Sequence, residues 1–182
     1  AYIAGESHWI HDPSPDADQS CWLVAPKTTG LLRIKPKDGI KGLRLNPSTN
    51  LTPVRAAYYS AATMLIRAAS IYLDISSEEI DIASIRSKDD QDPRSVGEIM
   101  LSDYLPNGSG FVEWIKDNWL DLAGGIVDRK GELAQYAKQQ VPCNCSRACY
   151  RCLMTFRNRQ IHGLLDWRLG FDFILLLAGK EK

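Results

Sequence analysis

The sequence has no long hydrophobic run and no excess of one charge. Its longest apolar stretch spans residues 173–178, far short of the roughly 20 residues that cross a bilayer, and this excludes a membrane span. The 22 basic side chains equal the 22 acidic ones, so the surface as a whole does not attract nucleic acid, and any such contact must come from a local patch. Hydrophobic residues make up 45% of the chain, which argues against disorder.

Enzyme signatures are also missing. The sequence has no Gly-x-Ser-x-Gly elbow, no His-Glu-x-x-His pair and no phosphate-binding P-loop. Four acids have the spacing of solvated strand-edge and loop positions rather than of a metal site; they are Asp81, Asp89, Asp90 and Asp92. The chain starts at Ala1 without a signal peptide, so we expect a fragment of a longer protein. No catalytic residue is predicted, and whether the chain is part of an enzyme stays open here.

Four of the five cysteines lie within ten residues, at Cys143, Cys145, Cys149 and Cys152. A disulfide framework spreads its cysteines to close larger loops, whereas thiolates that share one zinc ion must all lie about 2.3 Å from it. The spacing therefore predicts a structural zinc knuckle over residues 143–152, in which four thiolates leave no open position for a catalytic water. An iron–sulfur cluster, or disulfides and free thiols, are the alternatives.

Two other residues bear on this site. His162 lies ten residues after Cys152 and is an alternative fourth ligand, although a surface or helix-capping role is more common for a lone histidine. Cys21, beside Trp22 and Leu23, is most simply a small core residue.

The region around these cysteines is basic although the whole chain is neutral. Between residues 142 and 168 the one acid is Asp166, and it stands against five arginines, which are Arg147, Arg151, Arg157, Arg159 and Arg168. In one interpretation the arginines balance the negative charge of a zinc tetrathiolate. In the other they bind nucleic-acid phosphates, and Tyr150 and Phe156 offer rings on which bases stack. The residues alone leave both interpretations open.

Hydrophobic periodicity predicts a mixed α/β (α+β) fold, in which a small sheet packs with a long central helix and further helices. We expect Asn50 or Thr52 to cap the central helix, with Pro53 in its first turn and its end near Leu73. Strands are predicted at about 21–25, 30–35, 79–85 and 96–104, with a charged loop at 86–94. Further helices are predicted at about 111–125, 130–139 and 164–178. We find no repeat or linker and expect one domain over residues 1–182.

Two local features refine this prediction. The segment Asn107-Gly-Ser-Gly110 joins a predicted strand to a predicted helix, where free backbone amides would favour an anion such as phosphate. The alternative is a tight turn with positive φ angles, in which Asn107 or Ser109 caps the helix. At the other end of the chain, Trp167 is expected to anchor the last helix against the cysteine segment, with Asp166 in the first turn of that helix.

The segment from Cys145 to Gly170 is distinctive, as is the stretch Asn107-Gly-Ser-Gly-Phe111. Both resemble the MrfA-type zinc-binding (MZB) domain, which occurs at the C-terminus of superfamily 2 helicases and in DrmB-type proteins of the DISARM phage-defence system. The resemblance covers about residues 45–178. Asn158, His162 and Asp166 look like hallmarks of this family, without a role that can be transferred.

The resemblance implies a non-catalytic zinc-binding accessory domain of, or partner to, an ATP-dependent DNA helicase in phage defence or DNA repair, in the cytoplasm and away from any membrane. The expected partners are DNA and a helicase core or defence-complex subunit. The zinc ligands would be the four clustered cysteines, and the candidate nucleic-acid-binding residues are Arg147, Arg151, Arg157, Arg159 and Asn107. The rival interpretations are a nuclease-like domain and a protein-interaction module that assembles a defence complex.

Overall fold

The computed structural model describes residues 27–36, 42–48, 51–128 and 145–179. A long helix, α1 (Thr52–Leu73), packs against a sheet of three strands, β1 (Leu31–Ile34), β2 (Ile80–Ser87) and β3 (Gly97–Asp103). The remaining helices are α2 (Phe111–Asp117), α3 (Trp119–Val127) and α4 (Trp167–Leu177), and short 3-10 helices span Ser77–Glu79 and Arg159–Leu164. The predicted mixed α/β fold is confirmed.

The sheet is antiparallel, and its strands lie in the order β1-β3-β2. The central strand β3 pairs Ser102 with Leu31 on one side and Ile99 with Ile85 on the other. The predicted strands at 30–35, 79–85 and 96–104 are confirmed, but β2 continues to Ser87 and takes in the start of the predicted charged loop. The predicted strand at 21–25 and the predicted helix at 130–139 lie outside the described residues.

The core is centred on α1, whose alanines allow its neighbours to approach closely. Ala61, Leu65 and Ala69 of α1 have no exposed surface. Tyr58, also fully buried, donates a hydrogen bond of 2.8 Å to the carbonyl of Leu45, and its ring lies 4.2 Å from that of Phe173 in α4. Burial raises the pKa of the Tyr58 hydroxyl well above its usual range. The central helix therefore joins the sheet to the C-terminal helix.

Several predicted helix ends are wrong. Leu51 is the N-cap of α1 and makes no side-chain capping bond, so Thr52 begins the helix instead of capping it, and Pro53 lies in the first turn as predicted. The alternative cap, Asn50, lies outside the described residues. The predicted helix at 111–125 breaks at Asn118, whose side chain donates to the Trp114 carbonyl at 2.9 Å. Local side-chain bonds of this kind compete with helix formation.

The same predicted helix does not stop at Gly124-Gly125, because α3 continues to Val127. A helical glycine costs only about 1 kcal/mol relative to alanine. Leu122 and Ile126, which flank the glycines, are fully buried, so their packing outweighs that cost.

Helix α4 crosses α1 at Gly170. A Cβ atom at this position would lie 2.7 Å from Met64 Sδ and 2.8 Å from Ser60 Cβ, closer than non-bonded atoms approach. At the start of α4, the Asp166 N–H donates to Ser60 Oγ at 2.8 Å. The crossing thus fixes the start of α4, and with it the cysteine segment, against the central helix.

Candidate metal centre

Three of the four clustered cysteines meet in space. The Sγ atoms of Cys145, Cys149 and Cys152 all lie within 4.8 Å of one another, those of Cys145 and Cys152 are 3.6 Å apart, and none of the three is in a disulfide. Four thiolates at 2.3 Å around a tetrahedral zinc ion have sulfur atoms about 3.8 Å apart. The spacing and the soft thiolate chemistry of this set therefore fit zinc.

A tight turn brings the thiols together. The carbonyl of Cys149 accepts N–H bonds from Cys152 and Met154, both at 3.0 Å, and the Cys149 N–H donates to Cys152 Sγ at 2.9 Å. Cys152 and Leu153 are each 1% exposed and belong to the core. Burial raises the pKa of the Cys152 thiol, and a bound cation would act in the opposite direction by favouring the thiolate.

Cys143 and His162 are the two candidates for a fourth zinc ligand. Cys143 lies outside the described residues and stays a prediction, as does the core role of Cys21. His162 is absent from the cluster: its Nε2 lies 2.9 Å from both the Thr155 carbonyl and Asn158 Oδ1. Both partners are acceptors, so Nε2 carries the proton and donates. The structural interpretation of His162 is therefore favoured over a ligand role.

Asn158 and His162 hold the turn that follows the cysteines. Asn158 Nδ2 donates to the Leu153 carbonyl at 2.7 Å, while its Oδ1 accepts from the Thr155 N–H at 2.8 Å as well as from His162. One amide side chain thus satisfies a carbonyl, an amide N–H and an imidazole. This gives the two hallmark residues a role that the sequence did not reveal.

The last helix is tied directly to the cysteine segment, as predicted for Trp167. Trp167 Nε1 donates to the Cys145 carbonyl at 3.3 Å, and its backbone N–H donates to the Arg147 carbonyl at 3.0 Å. These two hydrogen bonds therefore couple the position of the cysteine loop to that of the first residue of α4.

Asp166 is the N-cap of α4, one residue before the predicted position in the first turn. Its nearly buried carboxylate accepts from the Arg168 N–H and from two nitrogens of the Arg168 guanidinium, at 3.0 and 2.8 Å. Arg147 Nε lies 3.6 Å away. Hydrogen bonds from Arg168, together with the charges of Arg168 and Arg147, hold the pKa of Asp166 below its usual value.

The arginines of the basic region divide into two groups. Arg147 and Arg168 pair with Asp166, and Arg157 donates to the Glu78 carbonyl at 2.7 Å with its guanidinium 4.3 Å from the Tyr104 ring centroid. Arg151 and Arg159 are exposed and form no ion pair within the described part of the chain.

The segment at 107–110 is a tight turn rather than an open anion site. Asn107, Gly108 and Gly110 have positive φ angles of 69°, 76° and 80°. The expected cap by Asn107 or Ser109 is wrong, because the carboxylate of Asp103 accepts from the amides of Ser109 (2.9 Å), Gly110 (2.9 Å) and residue 112 (3.1 Å). The sequence signal for this cap was an acid, Asp103, at the end of a predicted strand and just before a glycine-rich turn.

Asn107 itself is exposed at the tip of that turn, and its backbone N–H donates to the Thr28 carbonyl at 2.6 Å.

The acids at 89–92 make structural hydrogen bonds within their loop and to residues 46 and 48. Asn46 Nδ2 donates to the carbonyls of Asp89 and Asp92 at 3.0 and 2.8 Å, and Asp90 accepts from nearby serine hydroxyls. Within the described ranges, the three cysteines form the one group with metal-ligand geometry.

Comparison with known proteins adds a family to this geometry. The family model described as the MrfA Zn-binding domain (MZB) matches residues 61–153, just over half of the chain, from the middle of α1 to the end of the cysteine cluster. No curated protein matches the chain. A solved structure, described as the crystal structure of the DUF1998 helicase MrfA bound to DNA, is similar over 81% of this chain with 14% sequence identity and a TM-score of 0.49. This chain spans 17% of the length of that helicase chain.

None of the helices in the described residues is long and apolar enough to span a membrane.

Proposed function

The chain belongs to the MrfA Zn-binding domain family, and from this premise we propose that it is a non-catalytic, zinc-stabilised accessory domain of a DNA helicase. The observation that carries the proposal is the cluster of Cys145, Cys149 and Cys152, which suits zinc in distance and in chemistry. When bound, zinc cross-links the thiolates of a segment too short to form a core of its own.

The residues around the cluster connect the metal site to the hydrophobic core and to α4. Leu153, next to Cys152, is buried in the core, and Trp167 binds the carbonyls of Cys145 and Arg147. With the segment fixed in this way, its outer surface has a defined shape that a partner can recognise.

We assign that surface to DNA phosphate. Arg151 and Arg159 supply the contact, since both are exposed and neither is neutralised by an acid in the described structure. Arg147 and Arg157 have internal partners, so we assign them first to holding the segment and only through their remaining N–H groups to DNA. Asn107 stays a candidate contact at the exposed turn.

The test is DNA affinity as a function of salt, measured on the Arg151→Ala, Arg159→Ala double variant of the full-length protein. Each lost phosphate contact reduces the steepness of the plot of log affinity against log salt by about 0.7 to 0.9. The slope of the double variant should therefore be shallower by roughly 1.4 to 1.8. Arg44→Ala with Arg55→Ala removes the same charge from exposed positions elsewhere and is the matched control. If the two double variants behave alike, these arginines do not contact DNA.

The wider setting is part of the same proposal. We place the parent protein in phage defence or DNA repair, in the cytoplasm, where free thiols stay reduced, and treat residues 1–182 as one domain. A helicase core or a defence-complex subunit is the expected protein partner. A pull-down of such a partner without any DNA affinity would instead support the protein-interaction module.

A further inference from the structure

Two large aromatic side chains project from the cysteine segment into solvent. Tyr150 is 69% exposed and Phe156 is 74% exposed. Among the described residues, only Leu120 is a more exposed large hydrophobic side chain. Exposed rings of this size, grouped on one segment, are typical of a binding surface rather than of a packed core.

The turn that carries the two rings is cross-linked by hydrogen bonds. The Tyr150 ring lies 5.4 Å from the imidazole of His162 and nearly perpendicular to it, and His162 bonds to the carbonyl of Thr155, the residue before Phe156. Asn158 bonds across the same turn to residues 153 and 155. The backbone that carries both rings is therefore fixed before a ligand binds, and the contact with His162 orients the Tyr150 ring, which lowers the entropy cost of binding.

The two rings have arginines near them in different ways. The Arg159 guanidinium lies over the Phe156 ring, 5.0 Å from its centroid. Arg151 is the residue that follows Tyr150 in the chain. The Tyr104 ring also has an arginine over it, Arg157 at 4.3 Å from its centroid, but that arginine donates to the carbonyl of residue 78. Exposed rings near arginines without acidic partners complement a chain of bases joined by phosphates.

We propose that Tyr150 and Phe156 form a stacking platform for the bases of single-stranded DNA, with Arg151 and Arg159 on the adjoining phosphates. This inference rests on the proposed function, since it uses the same arginines. Bases in a duplex are already stacked and paired, whereas those of a single strand can turn out onto aromatic rings. The platform therefore makes the domain prefer a single strand to a duplex of the same sequence.

The experiment compares fluorescence anisotropy of a labelled oligothymidine strand and of a duplex, using the full-length protein. Tyr150→Ala with Phe156→Ala should weaken single-strand binding by about fivefold or more for each stacked base, leave the salt slope unchanged and affect duplex binding little. Leu120→Ala, which truncates an equally exposed side chain in α3, should have no effect. Tyr150→Phe should retain wild-type affinity.

The outcomes separate the two proposals. If the aromatic variant binds the single strand as well as the wild type, and the arginine variant does not, the platform is refuted while the DNA contact stands. If the wild type binds no DNA, both fail. Preference for single-stranded RNA of the same sequence would also overturn the assignment to DNA.

Crosslinking tests the platform on the unmodified protein, so that it does not depend on the folding of a variant. A single strand carrying 5-iodouracil, irradiated in complex with the wild type, should attach to Tyr150 or Phe156. Attachment only at residues outside this segment would refute the proposal.

Discussion

The crossing of α1 and α4 predicts that Gly170→Ala destabilises the protein although alanine is the better helix former. The new methyl group would meet Ser60 Cβ at 2.8 Å and the Ser60 carbonyl carbon at 2.9 Å. The latter is backbone of α1, so the clash cannot be relieved by a rotamer change and the helices must separate. Overpacking of this kind costs about 1–3 kcal/mol.

Two smaller effects nearly cancel. Alanine gains about 1 kcal/mol in helix propensity, whereas separation of the helices stretches the bond from the Asp166 N–H to Ser60 Oγ, a loss of about 1 kcal/mol. The net destabilisation is about 1–3 kcal/mol. For a chain of this size each kcal/mol lowers Tm by about 2–4 °C, which calorimetry on the metal-loaded protein will detect.

Gly124→Ala is the matched control, because Gly124 also lies in a helix but has nothing within 4 Å of the added methyl group. It should raise Tm by about 2–4 °C through propensity alone. A Gly170→Ala variant that melts as high as the Gly124→Ala variant would refute the close crossing.

Four further substitutions test the metal segment and the start of α4. Asp166→Asn keeps a side-chain cap but removes the charge paired with Arg168, so stability at pH 7 should fall by about 1–2 kcal/mol. Because the folded pKa of Asp166 is lowered, this difference is fully present above pH 4, the approximate ordinary pKa, and should close as the pH falls through the folded value; a pH-independent difference in denaturant titrations would contradict the pairing. Cys143→Ser should abolish or weaken zinc binding, whereas Cys21→Ser and His162→Asn should each retain one zinc by metal analysis, and zinc loss confined to His162→Asn would reverse the ligand assignment.

Local patterns in the sequence predicted the elements whose determinants are local. The three- and four-residue spacing of apolar side chains located α1 to within a residue or two, and alternation located β2. The strand predicted at 96–104 is confirmed as β3. The close cysteine spacing likewise predicted a cluster, because residues three and four apart in a tight turn meet whatever the rest of the chain does.

The partners of individual polar side chains could not be read in this way. The break at Asn118 depends on a side-chain bond to the preceding turn, and the role of Asp103 depends on a glycine turn folding back over its carboxylate. Arg157 was predicted as a candidate nucleic-acid contact, and the structure adds a bond from its guanidinium to the carbonyl of residue 78, which is 79 positions away in the sequence. The partner of Arg157 is set by the tertiary fold rather than by spacing.

Metal content per chain, measured on protein purified without added metal and with reactive thiols counted in parallel, tests the zinc site directly. We expect one zinc ion per chain and four thiols that react only after a chelator is added. Protein without metal, or with iron in a coloured cluster, and with thiols that react freely from the start, would contradict the zinc-stabilised domain.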